Sequence, residues 1–282
     1  MHTLLPIKPI DYLVIGHLTC DLTPEGPRLG GTAAFSGLTA HALGMRVGVV
    51  TAWGNEFPLS ALDGLQVWAA PVEKSSTFEN IYTHEGRVQY LHARAPALDF
   101  QMVPPEWRHA SIVHLGPIAQ EVQPVLDGVL SPSLLGLTPQ GWLRTWDGNG
   151  RVRPCTWPQA QEALPKAGAV VISVEDVDRD EEQIEAMALA SRVLAVTEGP
   201  AGARLYWNGD LRRFHSPEME EIDATGAGDI FATAFFIRLH VTRDPWEAAR
   251  FATRLASLSV LRRGLEGVPT AEEIQASLVE VF

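Results

Sequence analysis

The stretch EIDATGAGDIFATAFF, residues 221–236, sets two chemistries side by side. Gly226 and Gly228 flank a small alanine, so the backbone N–H groups of residues 226–228 can converge on an anion. Just beyond, Ile230, Phe231, Ala234, Phe235, Ile237 and Leu239 recur at helical spacing. Those amides therefore stand at a helix N-terminus, with the positive end of its dipole behind them. Asp229 follows at once, a carboxylate where a resident anion would be repelled. Taken singly, the acid is a helix cap worth about 0.3–1 kcal/mol and the glycines are a tight turn. Taken together, they fit group transfer: the amides hold a phosphoryl group in transit, and the carboxylate takes the proton of the accepting hydroxyl.

Bulk properties narrow the anion. Acids outnumber bases 34 to 22, a formal net charge of -12, which argues against general nucleic-acid binding but not against a small anion held by backbone dipoles. The three lysines, Lys8, Lys74 and Lys166, lie away from any glycine-rich stretch, so the G-x-x-x-x-G-K-[ST] nucleotide loop is absent. Cys20 and Cys155 form no C-x-x-C pattern and the nine histidines no H-E-x-x-H, so neither a disulfide framework nor a zinc site is suggested. The N-terminus lacks a secretory pattern and no run of about 20 apolar residues occurs, so a cytoplasmic location without membrane contact is expected.

The elements that must position this chemistry read as an α/β domain. Short apolar runs at 12–18, 47–53, 111–118, 169–175 and 192–199 fit strands buried on both faces, with helical-period stretches at 31–44, 120–130 and 180–191 between several of them. This alternation predicts a mainly parallel sheet covered by helices, in a single domain over 1–282. A polar strand, LRRFHSPEMEEI, leads into the glycine turn, and nearly everything after Asp229 is helical in pattern. The segment 76–98 alternates polar with apolar residues about the turn HEGR and predicts an antiparallel hairpin. It is either a flap over a cleft or a plain edge hairpin.

DATGAGD, 223–229, followed by its apolar helix, closely resembles the signature of the ribokinase-like (PfkB) carbohydrate kinases, usually D-[PT]-x-G-A-G-D, with Ala224 departing from the common second residue. The resemblance implies a ribokinase-like three-layer α/β/α fold with a small β lid. It also implies that Asp229 is the catalytic base and that Gly226, Ala227 and Gly228 form the anion hole. Asp223 and Thr225 match positions on the nucleotide side, beside a monovalent cation in many members. VTEGPAGARLY resembles the family's T-x-G-x-x-G nucleotide turn through Thr197, Gly199 and Gly202, and is a hairpin turn on its residues alone. Asp21, after the first strand, falls at the place of the sugar-binding acid, and Gly30 and Gly31 match the N-terminal double glycine. Phe35 stands where many members carry a substrate-binding Asn.

ISVED falls at the family's N-x-x-E, making Ser173 and Asp176 the counterparts; Asp176 would hold Mg²⁺ through water, with Glu175 competing for that role and helix capping the plainer reading. In TPQGWLRTWD, Thr138 replaces the family's acid while Gln140 and Arg144 keep polar character, so both are candidate substrate contacts, Arg144 being equally readable as a solvated surface charge. With Phe35, this pattern is most similar to the myo-inositol kinase branch. The resemblance thus implies an ATP- and Mg²⁺-dependent kinase acting on a small polyol, as a monomer or homodimer. A nucleoside kinase, with Phe35, Tyr82 and Trp53 available as a stacking slot, and a non-catalytic binding relative are the alternatives. Arg94, on the hairpin, is a candidate substrate-capping cation or a solvated charge.

Overall fold

The computed structural model describes residues 7–83 and 86–278. From the N-terminus, β1 (Tyr12–Ile15) is followed by the short pair β2 (Thr19–Thr23) and β3 (Gly26–Gly30), helix α1 (Thr32–Ala42), β4 (Val47–Trp53) and β5 (Gln66–Pro71). A long hairpin of β6 (Ser76–Thr83) and β7 (Gly86–Ala93) precedes β8 (Ile112–Leu115) and β9 (Leu134–Leu137). A small hairpin, β10 (Arg144–Trp146) with β11 (Val152–Pro154), precedes the one-turn helix α2 (Ala160–Ala163). The chain then runs through β12 (Ala169–Ser173), α3 (Glu181–Ala190), β13 (Val193–Thr197), β14 (Ala203–Trp207), β15 (Asp210–Phe214), α4 (Ala227–Thr242), α5 (Pro245–Ser259) and α6 (Ala271–Leu278).

The apolar runs become a nine-stranded sheet ordered β15-β14-β13-β12-β9-β8-β1-β4-β5, parallel from β13 to β5 with an antiparallel edge at β14 and β15. Alternation across the pleat sorts β1 cleanly. Tyr12 and Val14 join the core beneath α1, α4 and α5, whereas Leu13 and Ile15 join the opposite core with Trp107, Trp142 and α3 residues Ile184 and Met187. Helices on both faces explain why the central strands β1, β4, β8 and β9 lack polar alternation: neither side meets water. No helix among the described residues is long and apolar enough to cross a membrane.

The predicted hairpin at 76–98 exists as β6 and β7, its apex at 84–85 lying outside the described residues. It is half of a second sheet, ordered β3-β2-β6-β7. The sequence reading missed β2 and β3 because the pair is short and carries Pro and Gly, and Leu22 faces solvent rather than the core. Leu91 on β7 donates its N–H to Gly150 O at 2.8 Å, and Phe78, Leu91, Ile118 and Ala119 pack with Trp146 and Val152 of the small hairpin.

Two expectations are corrected. The stretch 120–130 is not a helix: Pro124 interrupts the amide ladder, and Gln120 (φ 58°) and Gly128 (φ 90°) take left-handed backbone. Its apolar spacing reflects burial of Val122 and Leu130 instead. At its start Glu121 is 1% exposed, and its carboxylate accepts the N–H groups of His17 (3.0 Å), Ile118 (3.0 Å) and Ala119 (2.7 Å). The strand read in LRRFHSPEMEEI ends at Phe214, just ahead of Pro217, and 215–220 is irregular.

Three buried amides depending on one carboxylate make Glu121→Ala costly. We expect a loss of roughly 2–4 kcal/mol in urea unfolding, since each orphaned donor forfeits its desolvation cost. A loss below about 1 kcal/mol would show that water replaces the carboxylate.

Candidate functional site

The C-terminal ends of the parallel strands collect the candidate residues, where open α/β sheets bind ligands. Asp21 lies on β2, the strand after β1, Thr138 and Gln140 follow β9, Asp176 follows β12, and Thr197 ends β13 beside Ser173 of β12. Helix α4 brings Asp229 to them.

The turn ahead of α4 is locked by Asp223. Its Oδ1 accepts the Thr225 N–H and its Oδ2 the Gly264 N–H, both at 2.9 Å. Burial pushes this carboxyl up, but the Thr225 and Gly264 bonds and the Arg28 charge outweigh it and hold it below the usual range. Gly226 caps α4 with φ 81°, and a Cβ there would overlap the Phe35 ring, so only glycine serves. Gly228 is exposed, with open space where a side chain would stand. The three-amide cradle needs one amendment: the Ala227 N–H is engaged within the turn, on Ala224 O at 3.2 Å.

Asp229 lies in the first turn of α4. Burial pushes its carboxyl up to about 6, the Thr32 hydroxyl bond and the Arg144 charge pull it down, and Asp176 and Asp21 push it up. Five elements thus place Asp229, Thr32, Arg144, Asp176 and Asp21 within electrostatic reach. Asp21 is likewise pushed up to about 6 by burial, with the neighbouring Thr19 hydroxyl opposing, and Gly30 supplies its space, since a Cβ there would overlap the carboxylate. Gly31 caps α1.

Asp176 Oδ1 accepts from Gln140 Nε2 at 3.1 Å, and Oδ2 accepts the Ser173 N–H at 2.8 Å in a capping box over 173–176. The cap of α3 is Asp180, which accepts from Gln183, so Asp176 does not serve there. Gln140 therefore orients Asp176. Arg144 is half-buried and acts on Asp229.

Several expected roles shift. Phe35 is 3% exposed and lies under Gly226, and Trp53 is fully buried with its indole N–H on Phe57 O, so both are core residues rather than stacking surfaces. Arg94 is exposed, as a solvated charge would be, yet its guanidinium is engaged: it donates to Ala119 O (2.7 Å) and Gln120 O (2.9 Å) and lies over the Trp146 ring. Thr197, Gly199 and Gly202 form the β13–β14 turn, in which the Glu198 N–H reaches Gly202 O at 2.8 Å. Thr32 was missed; GGT did place a hydroxyl at the first residue of α1, but nothing in the sequence aimed it at Asp229.

Among the described residues no group of three or more His, Cys, Asp and Glu side chains gathers as a metal cage. Mg²⁺ ordinarily keeps several waters and takes one or two carboxylates plus phosphate oxygens. Asp176 fits that demand: each of its oxygens carries one hydrogen bond and retains a lone pair for a metal-bound water.

Residues 148–271 match the model of the pfkB family carbohydrate kinases. A stretch of 95 residues is 41% identical to the ribokinase of Bacillus subtilis (strain 168), spanning 33% of this chain and 32% of that protein. The cytidine kinase of Thermococcus kodakarensis is 29% identical over 254 residues, 80% of this chain and 87% of its own. A pyrophosphate-dependent kinase in the ribokinase family, complexed with a pyrophosphate analog and myo-inositol, superposes with a TM-score of 0.76 at 20% identity, over 94% of this chain and 99% of that one. The fold is ribokinase-like.

The two glycines of the turn should separate in mutants. Gly226→Ala meets both Phe35 and a left-handed φ and should cost several kcal/mol, about 1 of it backbone strain. Gly228→Ala should unfold as the wild type does, because its side chain enters open space. Thermal melts of both variants check this; equal losses would contradict it.

Proposed function

Because the chain carries a PfkB-family carbohydrate kinase domain, we propose that it transfers the γ-phosphoryl group of ATP to a hydroxyl of a small neutral polyol, a cyclitol such as myo-inositol or a sugar. The observation that carries the reading is Asp229: an acid raised by burial to about 6, ionised at neutral pH, one residue beyond the exposed Gly228 backbone at the start of α4. A base with that pKa is matched to a hydroxyl that becomes acidic only as its bond to phosphorus forms.

In this reading Asp229 accepts the hydroxyl proton while the oxygen bonds to phosphorus and the bond to the leaving ADP oxygen breaks. The Gly228 amide, the helix dipole and Arg144 stabilise charge on the transferring group. Thr32 aims the Asp229 carboxylate, and Asp21 accepts hydroxyl hydrogen bonds from the polyol. Bound Mg²⁺ would neutralise donor phosphate charge, with Asp176, oriented by Gln140, holding it through water. The donor sits against the open backbone at Gly199 and Gly228. The β3-β2-β6-β7 sheet serves as a lid over the acceptor.

Burial of Phe35 and Trp53 favours a polyol over a nucleoside, which needs an aromatic face; the third candidate, Tyr82, has its side chain outside the described residues. Likeness to the myo-inositol complex points the same way; the cytidine kinase relative keeps nucleosides in the test.

An acceptor panel with Mg²⁺ and either ATP or pyrophosphate decides. We expect turnover of a cyclitol or sugar, and a drop of roughly 10²–10⁴-fold in kcat for Asp229→Asn. Turnover with no acceptor, or an undiminished Asp229→Asn, would sink the mechanism.

The pH dependence has a defined sign. A base ionising at about 6 makes kcat/KM fall as pH drops through 6. For stability the direction reverses: an acid whose folded pKa exceeds its unfolded 3.8 costs the fold stability as pH rises from about 4 through about 6. Asp229→Asn should therefore melt higher than the wild type at pH 7.5 and lose that advantage at pH 4. A lower melting point at pH 7.5 would mean that the carboxylate serves the fold.

A further inference from the structure

We propose that Arg94 is a positioning residue for Arg144: it docks the four-stranded sheet onto the 144–154 hairpin, so that seating the sheet and setting the Arg144 main chain, and with it the guanidinium whose charge reaches Asp229, are one event. The inference rests on the kinase reading for its consequence in turnover, not for its geometry.

The contacts run in sequence from sheet to site. Arg94, just past β7, holds two consecutive main-chain carbonyls, Ala119 O at 2.7 Å and Gln120 O at 2.9 Å, and its guanidinium carbon lies 5.5 Å over the Trp146 ring of β10. Gln120, fixed at φ 58° despite its side chain, sends Nε2 to the Arg144 carbonyl. A left-handed non-glycine residue costs about 1–2 kcal/mol and persists only where its surroundings hold it. Here both its carbonyl and its amide group are held.

Three further contacts bind the same two bodies. Tyr90 bridges Arg151, the Leu91 N–H reaches Gly150 O, and Phe78 and Leu91 pack with Trp146 and Val152. At the root of the sheet, the His17 ring nitrogens meet Ser76 Oγ (2.8 Å) and Pro96 O (2.9 Å), while its amide is held by Glu121. The sheet is thus fixed at one end to β1 and docked along its side on the hairpin that begins with Arg144. Movement of β7 away from its seat pulls the Ala119–Gln120 carbonyls and Trp146, and the Arg144 main chain moves with them. Around Asp229 the charged and titratable groups are Arg144, Asp176, Asp21 and Tyr12, with Thr32 as hydrogen-bond partner; of these, only Arg144 belongs to the docked hairpin.

The full-length chain with Arg94→Met, which keeps the stem and removes the donor fork, tests this through two readouts that need no turnover. By hydrogen exchange, amides of 147–154 should lose protection while those of β12 and β13 keep theirs. By carboxyl ¹³C NMR, Asp229 should titrate higher in Arg94→Met, towards its position in Arg144→Ala, and the double variant should move no further than Arg144→Ala alone. Unchanged exchange in 147–154 overturns the docking. Looser exchange with an unmoved Asp229 titration, or additive shifts in the double variant, overturns the coupling and leaves Arg94 a mere brace. With an acceptor in hand, kcat should fall and KM hold in Arg94→Met. Absence of any turnover in the wild type would instead count against the kinase reading.

Discussion

Desolvation raises the Asp229 carboxyl to about 6, yet it remains ionised at neutral pH, and the residues around it are arranged about that tension. Desolvation alone would drive the carboxyl higher, and Asp21 and Asp176 push in the same direction. Two opposing groups keep it usable: a hydroxyl at the first residue of α1 and a guanidinium at the first residue of β10. Parallel pairing sets the C-terminal strand ends on one side of the domain, and that is what brings elements far apart in sequence to one site.

The glycine turn shows how packing supports that placement. Phe35, on α1, fills the volume a side chain at Gly226 would need, so α1 and α4 approach at their N-terminal ends. That approach sets Thr32 near the Asp229 carboxylate. Asp223 contributes from below by tying two amides, one ahead of α4 and one at Gly264. A carboxylate matched to the nucleotide side by resemblance thus also acts as a structural clamp.

How much of this could be read from sequence depended on whether the signal was local. The turn, its glycines and Asp229 were legible because backbone conformation and helix start are written within a few residues. The buried strands were legible because both faces are covered. The stretch 120–130 misled because apolar spacing reports burial, and the deciding contact, Glu121 with the amides of His17, Ile118 and Ala119, includes a partner more than a hundred residues away. Strands β2 and β3 were unreadable for a related reason: they pair with each other and, through β2, with the distant β6, and little apolar burial of their own marks them. Phe35 had the right position and the wrong meaning, since sequence cannot tell a pocket wall from the filling beneath a glycine.

Charge at the site also bears on what can enter it. Asp21 and Asp229 are both raised by burial, and Asp21 adds to the rise at Asp229. In the proposed reading a neutral polyol relieves this arrangement, because its hydroxyls donate to the two carboxylates. In that reading an acceptor already carrying a phosphate would add a third anion beside these two carboxylates, while the Arg144 charge already acts on Asp229. The amides at the start of α4 supply only partial charges, sufficient for a phosphoryl group that arrives with its own counter-charge and leaves within one turnover. The same weakness that makes this end of α4 a poor permanent anion site suits it to an anion in transit, so the carboxylate beside it is no contradiction.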